Sequence, residues 1–165
     1  MQTTAAELLQ LCERLAQALK ARGWMMATAE SCTGGLIAAT CTGLSGSSDW
    51  LERGFVTYSN AAKSEMLGVP ATLIDSHGAV SEEVARAMAL GALAHSQAQA
   101  SVAVTGIAGP SGGCAAKPVG TVCFGWALGD RAWTEQQCFD GDRDAVRAAT
   151  VRHALHGLLA ALSAA

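Results

Sequence analysis

The hydroxyl of Ser31 stands in "MMATAESCTGGLIAATCTG", residues 25 to 43, where a short apolar run gives way to a helical pattern. In a strand-to-helix turn, a serine lies beside the backbone N–H groups that the helix leaves unpaired, so a nucleophile and donors for an oxyanion share one place. Gly34 and Gly35 would let a substrate approach that backbone. Capping of the helix by Ser31 or Thr33 is the competing role, and the segment by itself leaves both readings open.

A serine hydroxyl needs a base close by. The four histidines supply no motif: His153 and His156 are three apart without further ligands, His95 lies near a helix end and His77 in a loop, so a structural role is expected and no metal site. Of the three lysines, Lys20 belongs on the solvent face at the end of the first helix, and Lys117 sits in a glycine-rich loop where it could meet a phosphate or carboxylate. Lys63, in "YSNAAKSEM", falls one turn beyond Asn60, the expected helix cap, and just past a strand end. There the helix dipole and partial burial both lower a lysine pKa, which makes it a candidate base; a solvated helix lysine is the alternative. Tyr58, the one tyrosine, ends the strand that leads to Lys63. In a parallel sheet Ser31, Tyr58 and Thr105 would meet at the carboxyl edge, where open α/β folds bind ligands. Arg143 and Arg147, four apart in "GDRDAVR", suit a phosphate clamp on that edge or surface pairing with Asp142, Asp144 or Glu135.

The elements that must place these residues are legible in outline. Thr4 and Glu7 form a capping-box pattern ahead of Leu8, Leu11, Leu15 and Leu19, which predicts a helix over 5–21 ending at Gly23. Strands are expected over 24–28, 54–59 and 101–106, and helices over 34–42, 61–67 and from Ser81 through 97, with His77 and Gly78 in a loop between the last two. The segment 107–120, rich in glycine and holding two of the three prolines, reads as an irregular functional loop. "TVCFGWAL" and "AWTEQQCF" read as a hairpin about Gly129, Asp130 and Arg131, and 142–162 as a closing helix. Alternating strands and helices followed by an antiparallel pair predict a three-layer α/β/α fold with a mixed, mostly parallel sheet, as a single domain over 1–165.

Composition narrows the function. The chain is 50% hydrophobic and 15% charged, which excludes disorder, and its charges interrupt every run long enough to span a bilayer. A net charge of -3 gives no footprint for nucleic acid. The N-terminus has no basic leader, and the six cysteines show no CxxC spacing, so reduced thiols in a cytoplasmic protein are expected.

The motifs "AESCTGG", "FVTYSNAAK", "HGAVSEEVA", "TGIAGPSGG", "KPVGTV" and "FDGDRDAVR" occur in this order and together resemble the C-terminal domain family of the CinA competence/damage-inducible proteins, over residues of about 5 to 160. Stand-alone members similar to this chain deamidate nicotinamide mononucleotide to nicotinate mononucleotide and ammonia; larger relatives carry an added N-terminal domain. The resemblance implies Ser31 as nucleophile, Lys63 as general base and Tyr58 as their polar partner. It implies that Thr105 and Gly106 line the pocket and that an arginine, Arg143 before Arg147, meets the substrate. Glu30, Thr33, Gly34, Gly35 and Asn60, in the same motifs, complete the expected substrate-binding set. No cofactor or metal is implied, and pairing into a homodimer is expected, with Trp50 or Trp133 as exposed apolar contacts. Two other readings fit the same residues: a non-catalytic nucleotide-binding or regulatory module, and a Ser–Lys amidase for another substrate.

Overall fold

The computed structural model describes residues 4–165. Helix α1 (Ala5–Ala21) starts at the expected capping box: Thr4 accepts from the Glu7 N–H, and the Glu7 side chain accepts from the Thr4 N–H. The chain continues through β1 (Met26–Glu30), α2 (Leu36–Thr42), β2 (Leu51–Val56), α3 (Asn60–Leu67), α4 (Ala71–His77), α5 (Glu82–Ala94), β3 (Ala100–Gly106), β4 (Thr121–Leu128), β5 (Arg131–Cys138) and α6 (Arg143–Ala164). One sheet of five strands runs in the order β2-β1-β3-β4-β5, parallel from β2 to β3 and antiparallel from β3 to β5. No helix among the described residues is long and apolar enough to cross a membrane.

Side chains alternate across the strands and divide the core in two. Met26, Val102, Val104, Phe124 and Trp126 face α1, α2 and α6. Ala27, Ala29, Ala103 and Ala127 face α3, α4 and α5. Away from Phe55 on edge strand β2 the second face is made of small residues, so α5 lies close to the sheet: a Cβ on Gly125 would fall 2.3 Å from the Ala85 carbonyl oxygen. Ser101 ties the same pair by donating to the Ala89 carbonyl at 2.7 Å. On the other face Trp126 stacks between Phe124 and Trp133, with centroids at 5.5 and 5.8 Å.

Several expected boundaries move. Strand β1 begins and ends two residues later than predicted, because Trp24 and Met25 precede the pairing with β3 that starts at Met26↔Ala100; β2 begins and ends three residues earlier, since its pairing with β1 runs from Leu51 to Val56. The cap of α3 is Ser59, whose hydroxyl accepts from the Ala62 N–H at 3.0 Å; Asn60 is the first helical residue. The predicted loop around His77 contains α4, started by Pro70 and stopped by Gly78 in an extended, positive-φ conformation. Trp50 is fully buried, and Trp133 is covered in part by Trp126, so the first cannot be the exposed contact expected of it. All six cysteines are free, four of them buried, with Cys114 and Cys138 exposed.

Helix α3, which carries Lys63, docks on α5 at Gly91, where an added Cβ would lie 2.1 Å from the Leu67 carbonyl oxygen. Gly91→Ala gains up to about 1 kcal/mol in helix propensity, but the clash is with backbone and costs about 1–3 kcal/mol. The clash should win. The melting temperature of Gly91→Ala is expected to fall by several degrees, and a rise would show that the two helices are not so tightly apposed.

Candidate active site

The turn that carries Ser31 is held from three sides. Its N–H donates to the Val104 carbonyl at 3.1 Å, which aligns the ends of β1 and β3, and the Thr57 N–H donates to the Glu30 carbonyl at 2.9 Å, which aligns β1 with β2. Below the turn lies the buried Glu30 side chain. It accepts from the Thr33 hydroxyl at 2.6 Å, from the Ile37 and Ala38 N–H groups at 2.8 and 3.0 Å, and from the Thr28 hydroxyl at 3.2 Å. Glu30 therefore caps α2 from the preceding strand, a task that falls to it because the N-cap position is Gly35, with no side chain and φ of 104°. Glu30 and Thr33, expected to bind substrate, are buried under the turn with their side-chain polar atoms used internally. Gly34 (φ 61°) and Gly35 supply the left-handed backbone that reverses the chain into α2.

Lys63 enters from the first turns of α3 and is 1% exposed. Its Nζ lies 3.1 Å from Ser31 Oγ, 3.1 Å from the Thr57 carbonyl and 3.2 Å from the Tyr58 carbonyl. Burial pushes its pKa below the ordinary lysine value, and a Cys32 thiolate would act in the opposite direction. A neutral amine has two N–H donors and one lone pair; two carbonyls and one hydroxyl are the matching partners. Cys32, next to Ser31, is the rival nucleophile, but burial pushes its thiol up to about 11, so it stays protonated near neutral pH.

Ser31 and Lys63 open on a cavity of about 270 Å³ at the carboxyl edge of β1, β2 and β3. Asn60, Thr105, Gly106 and Arg143 line it. Tyr58 also borders it, yet its side chain is 66% exposed and its contribution to the Ser31–Lys63 cluster is its main-chain carbonyl. The two arginines separate. Arg143 faces the cavity while donating to the Gly109 carbonyl at 2.8 Å. Arg147 is turned to the back of the Ser31 turn, where it donates to the Cys32 and Thr33 carbonyls, each at 3.2 Å. Lys117 is spent on the last turn of α4, donating to the His77 carbonyl at 3.0 Å, and the 107–120 loop reaches the cavity through Ala108. His153 packs among Phe124, Trp126 and Phe139 beside Glu135, far from a catalytic role. Sequence reasoning missed the Thr57 carbonyl and the walls at Ala79 and Val80; a main-chain group carries no residue signal.

The CinA C-terminal domain model matches residues 8–162. The chain belongs to the CinA C-terminal domain family. It is 53% identical over 156 residues to the nicotinamide-nucleotide amidohydrolase PncC of Escherichia coli K12, covering 94% of each chain. It is 54% identical over 149 residues to PncC of Pseudomonas putida, covering 90% of this chain and 93% of that one. Among solved structures, the competence/damage inducible protein CihA from Agrobacterium tumefaciens superposes with a TM-score of 0.91 at 44% identity, over 99% of this chain and 98% of that one.

In this CinA-type fold the Glu30 cap is the part of the site most open to a clean test. Replacing one carboxyl oxygen by an amide sets N–H against N–H, so Glu30→Gln is expected to cost about 1.5–3 kcal/mol. Thermal unfolding should show a lowered midpoint. An unchanged midpoint would mean that the carboxyl is not what holds α2 to β1.

Proposed function

We propose that this CinA-family chain is a nicotinamide-nucleotide amidohydrolase that converts nicotinamide mononucleotide to nicotinate mononucleotide and ammonia through a Ser–Lys acyl-enzyme. The observation that carries the mechanism is Lys63 Nζ at 3.1 Å from Ser31 Oγ inside a buried, carbonyl-lined corner. The relationship to PncC proteins over nearly the full chain carries the substrate.

Neutral Lys63 takes the Ser31 proton as Oγ attacks the carboxamide carbon, while the Thr57 and Tyr58 carbonyls hold its two N–H groups and aim its lone pair. The oxyanion forms beside the Cys32 and Thr33 N–H groups, which have no partner among the described residues. Lys63, now protonated, gives its proton to departing ammonia, and water releases the acyl group by the same base. Thr105, Gly106 and Asn60 shape the cavity for the ring and ribose, and Arg143 meets the phosphate. The reaction calls on no metal or organic cofactor, and the protein works in the cytoplasm.

Ammonia release from nicotinamide mononucleotide, the riboside and free nicotinamide tests the reading: turnover is expected with the mononucleotide and to weaken as the phosphate and ribose are removed. Equal turnover on all three would favour a general amidase, and none on any would favour a binding module. Ser31→Ala is expected to lose at least about a hundredfold in kcat, and Cys32→Ala to keep most of it. Lys63→Arg cannot give up its proton and should bind ligand without hydrolysing it. Because only the neutral amine is competent, kcat/KM should rise with pH through a midpoint below the ordinary lysine value and then level. Wild-type turnover in Lys63→Arg would remove the Ser–Lys mechanism.

Two copies pair in this proposal, with Leu36, Val56 and Tyr58, exposed around the end of edge strand β2, in place of Trp50 as the apolar contact. Light scattering at micromolar concentration should give twice the chain mass. A monomer mass counts against pairing.

A further inference from the structure

We propose that Arg147 is a positioning residue for the oxyanion donors of the Ser31 turn, acting through the backbone and not by touching substrate. The proposal rests on Ser31 as the nucleophile. Arg147 Nε donates to the Cys32 carbonyl and Nη2 to the Thr33 carbonyl, each at 3.2 Å. In a trans peptide the C=O and N–H point in opposite directions. Fixing the Cys32 carbonyl toward Arg147 therefore fixes the Thr33 N–H away from it. Fixing the Thr33 carbonyl likewise orients the Gly34 N–H, which donates back to the Ser31 carbonyl at 3.1 Å. That last bond sets the Ser31–Cys32 peptide and, with it, the Cys32 N–H. The Thr33 carbonyl also accepts from the Leu36 N–H at 3.1 Å, so one guanidinium and two main-chain bonds hold three consecutive peptide planes, and the Cys32–Thr33 plane is the one held by Arg147 alone; of these three planes, the Cys32 and Thr33 N–H groups have no partner among the described residues.

A guanidinium suits this task because its planar fork reaches two adjacent acceptors at fixed separation, which an ammonium cannot do. Its charge also polarises the two peptides it holds, strengthening the Thr33 N–H as a donor. The competing roles for Arg147 are weaker on geometry. The cavity is bordered by Arg143 and not by Arg147. The ion pair with Asp144 is stretched to 4.0 Å on a carboxylate that is 93% exposed, an arrangement that contributes little. A Cβ on Gly34 would stand 3.8 Å from Arg147 Nη2, an ordinary contact, so it is the φ of 61° and not the guanidinium that calls for glycine there.

The test is steady-state ammonia release from nicotinamide mononucleotide by the wild type, Arg147→Ala, Arg147→Lys and Asp144→Ala, with pH profiles and melting curves. Losing an oxyanion donor costs about 100- to 1,000-fold, so loosening two of them in Arg147→Ala should lower kcat about 10- to 100-fold. KM should stay within about twofold. The midpoint of kcat/KM against pH should not move, since Lys63 is untouched. Arg147→Lys should fall between, and Asp144→Ala should match the wild type. Added guanidinium ion should restore part of the kcat of Arg147→Ala. A raised KM with unchanged kcat would make Arg147 a substrate ligand and overturn the proposal, as would a shifted pH midpoint or wild-type kcat in both variants. If Arg147→Ala does not fold, Arg147→Lys decides by the same criteria. If the wild type releases no ammonia from this substrate, the reaction assigned above fails, and the positioning role is still read by phosphonylation of Ser31 with a fluorophosphonate, in which the Oγ–P bond forms and fluoride leaves. Slower phosphonylation in Arg147→Lys supports the role, and an equal rate ends it.

Discussion

The arrangement depends on a lysine nitrogen buried almost completely within bonding distance of a serine hydroxyl. Burying an amine is unfavourable unless its hydrogens find acceptors, and burial also favours the neutral form. Both consequences appear in one place. The Thr57 and Tyr58 carbonyls accept from Lys63, and the desolvation that would otherwise only destabilise the fold lowers the lysine pKa toward the range in which a base can work.

The surrounding elements serve that contact. Strand β1 brings Ser31 to the sheet edge, β2 ends one residue before the two carbonyls, and α3 turns Lys63 inward because it rests on α5 at a glycine. Small side chains on one face of the sheet bring α5 close, and large aromatic ones on the other anchor α6, whose first turns carry Arg143 and Arg147. The two arginines differ by one helical turn, and that separates a cavity wall from a donor to the carbonyls behind Ser31. The Glu30 cap and the Arg147 guanidinium grip the same five-residue turn, in which the Cys32, Thr33 and Gly35 N–H groups have no partner among the described residues.

The same burial is consistent with the proposal of serine rather than the adjacent cysteine as nucleophile. Desolvation raises the Cys32 thiol and lowers the Lys63 amine, so a proton leaves the cationic group more readily while the thiol keeps its own. In the proposed mechanism the hydroxyl never has to ionise alone, since it transfers its proton as it attacks. Thiol nucleophilicity depends on thiolate, which this corner suppresses.

By itself the sequence determined what local chemistry dictates: the Thr4–Glu7 capping box, the alternation of strands and helices, the irregular 107–120 stretch, and Ser31 and Lys63 as the hydroxyl and amine worth pairing. Boundaries slipped where pairing, not propensity, bounds a strand, as at Met26, and α4 was hidden because about two turns of weakly patterned residues between Pro70 and Gly78 read as loop. Tertiary structure alone decided which polar side chains face the cavity. Glu30 and Thr33 lie in the most informative motif yet point into the fold to cap α2, Tyr58 lends its carbonyl and not its hydroxyl, and Trp50 is core. The reason is physical: residue type fixes which groups can donate or accept, but main-chain carbonyls and N–H groups are the same at every position, and only packing decides which of them are left facing the cavity.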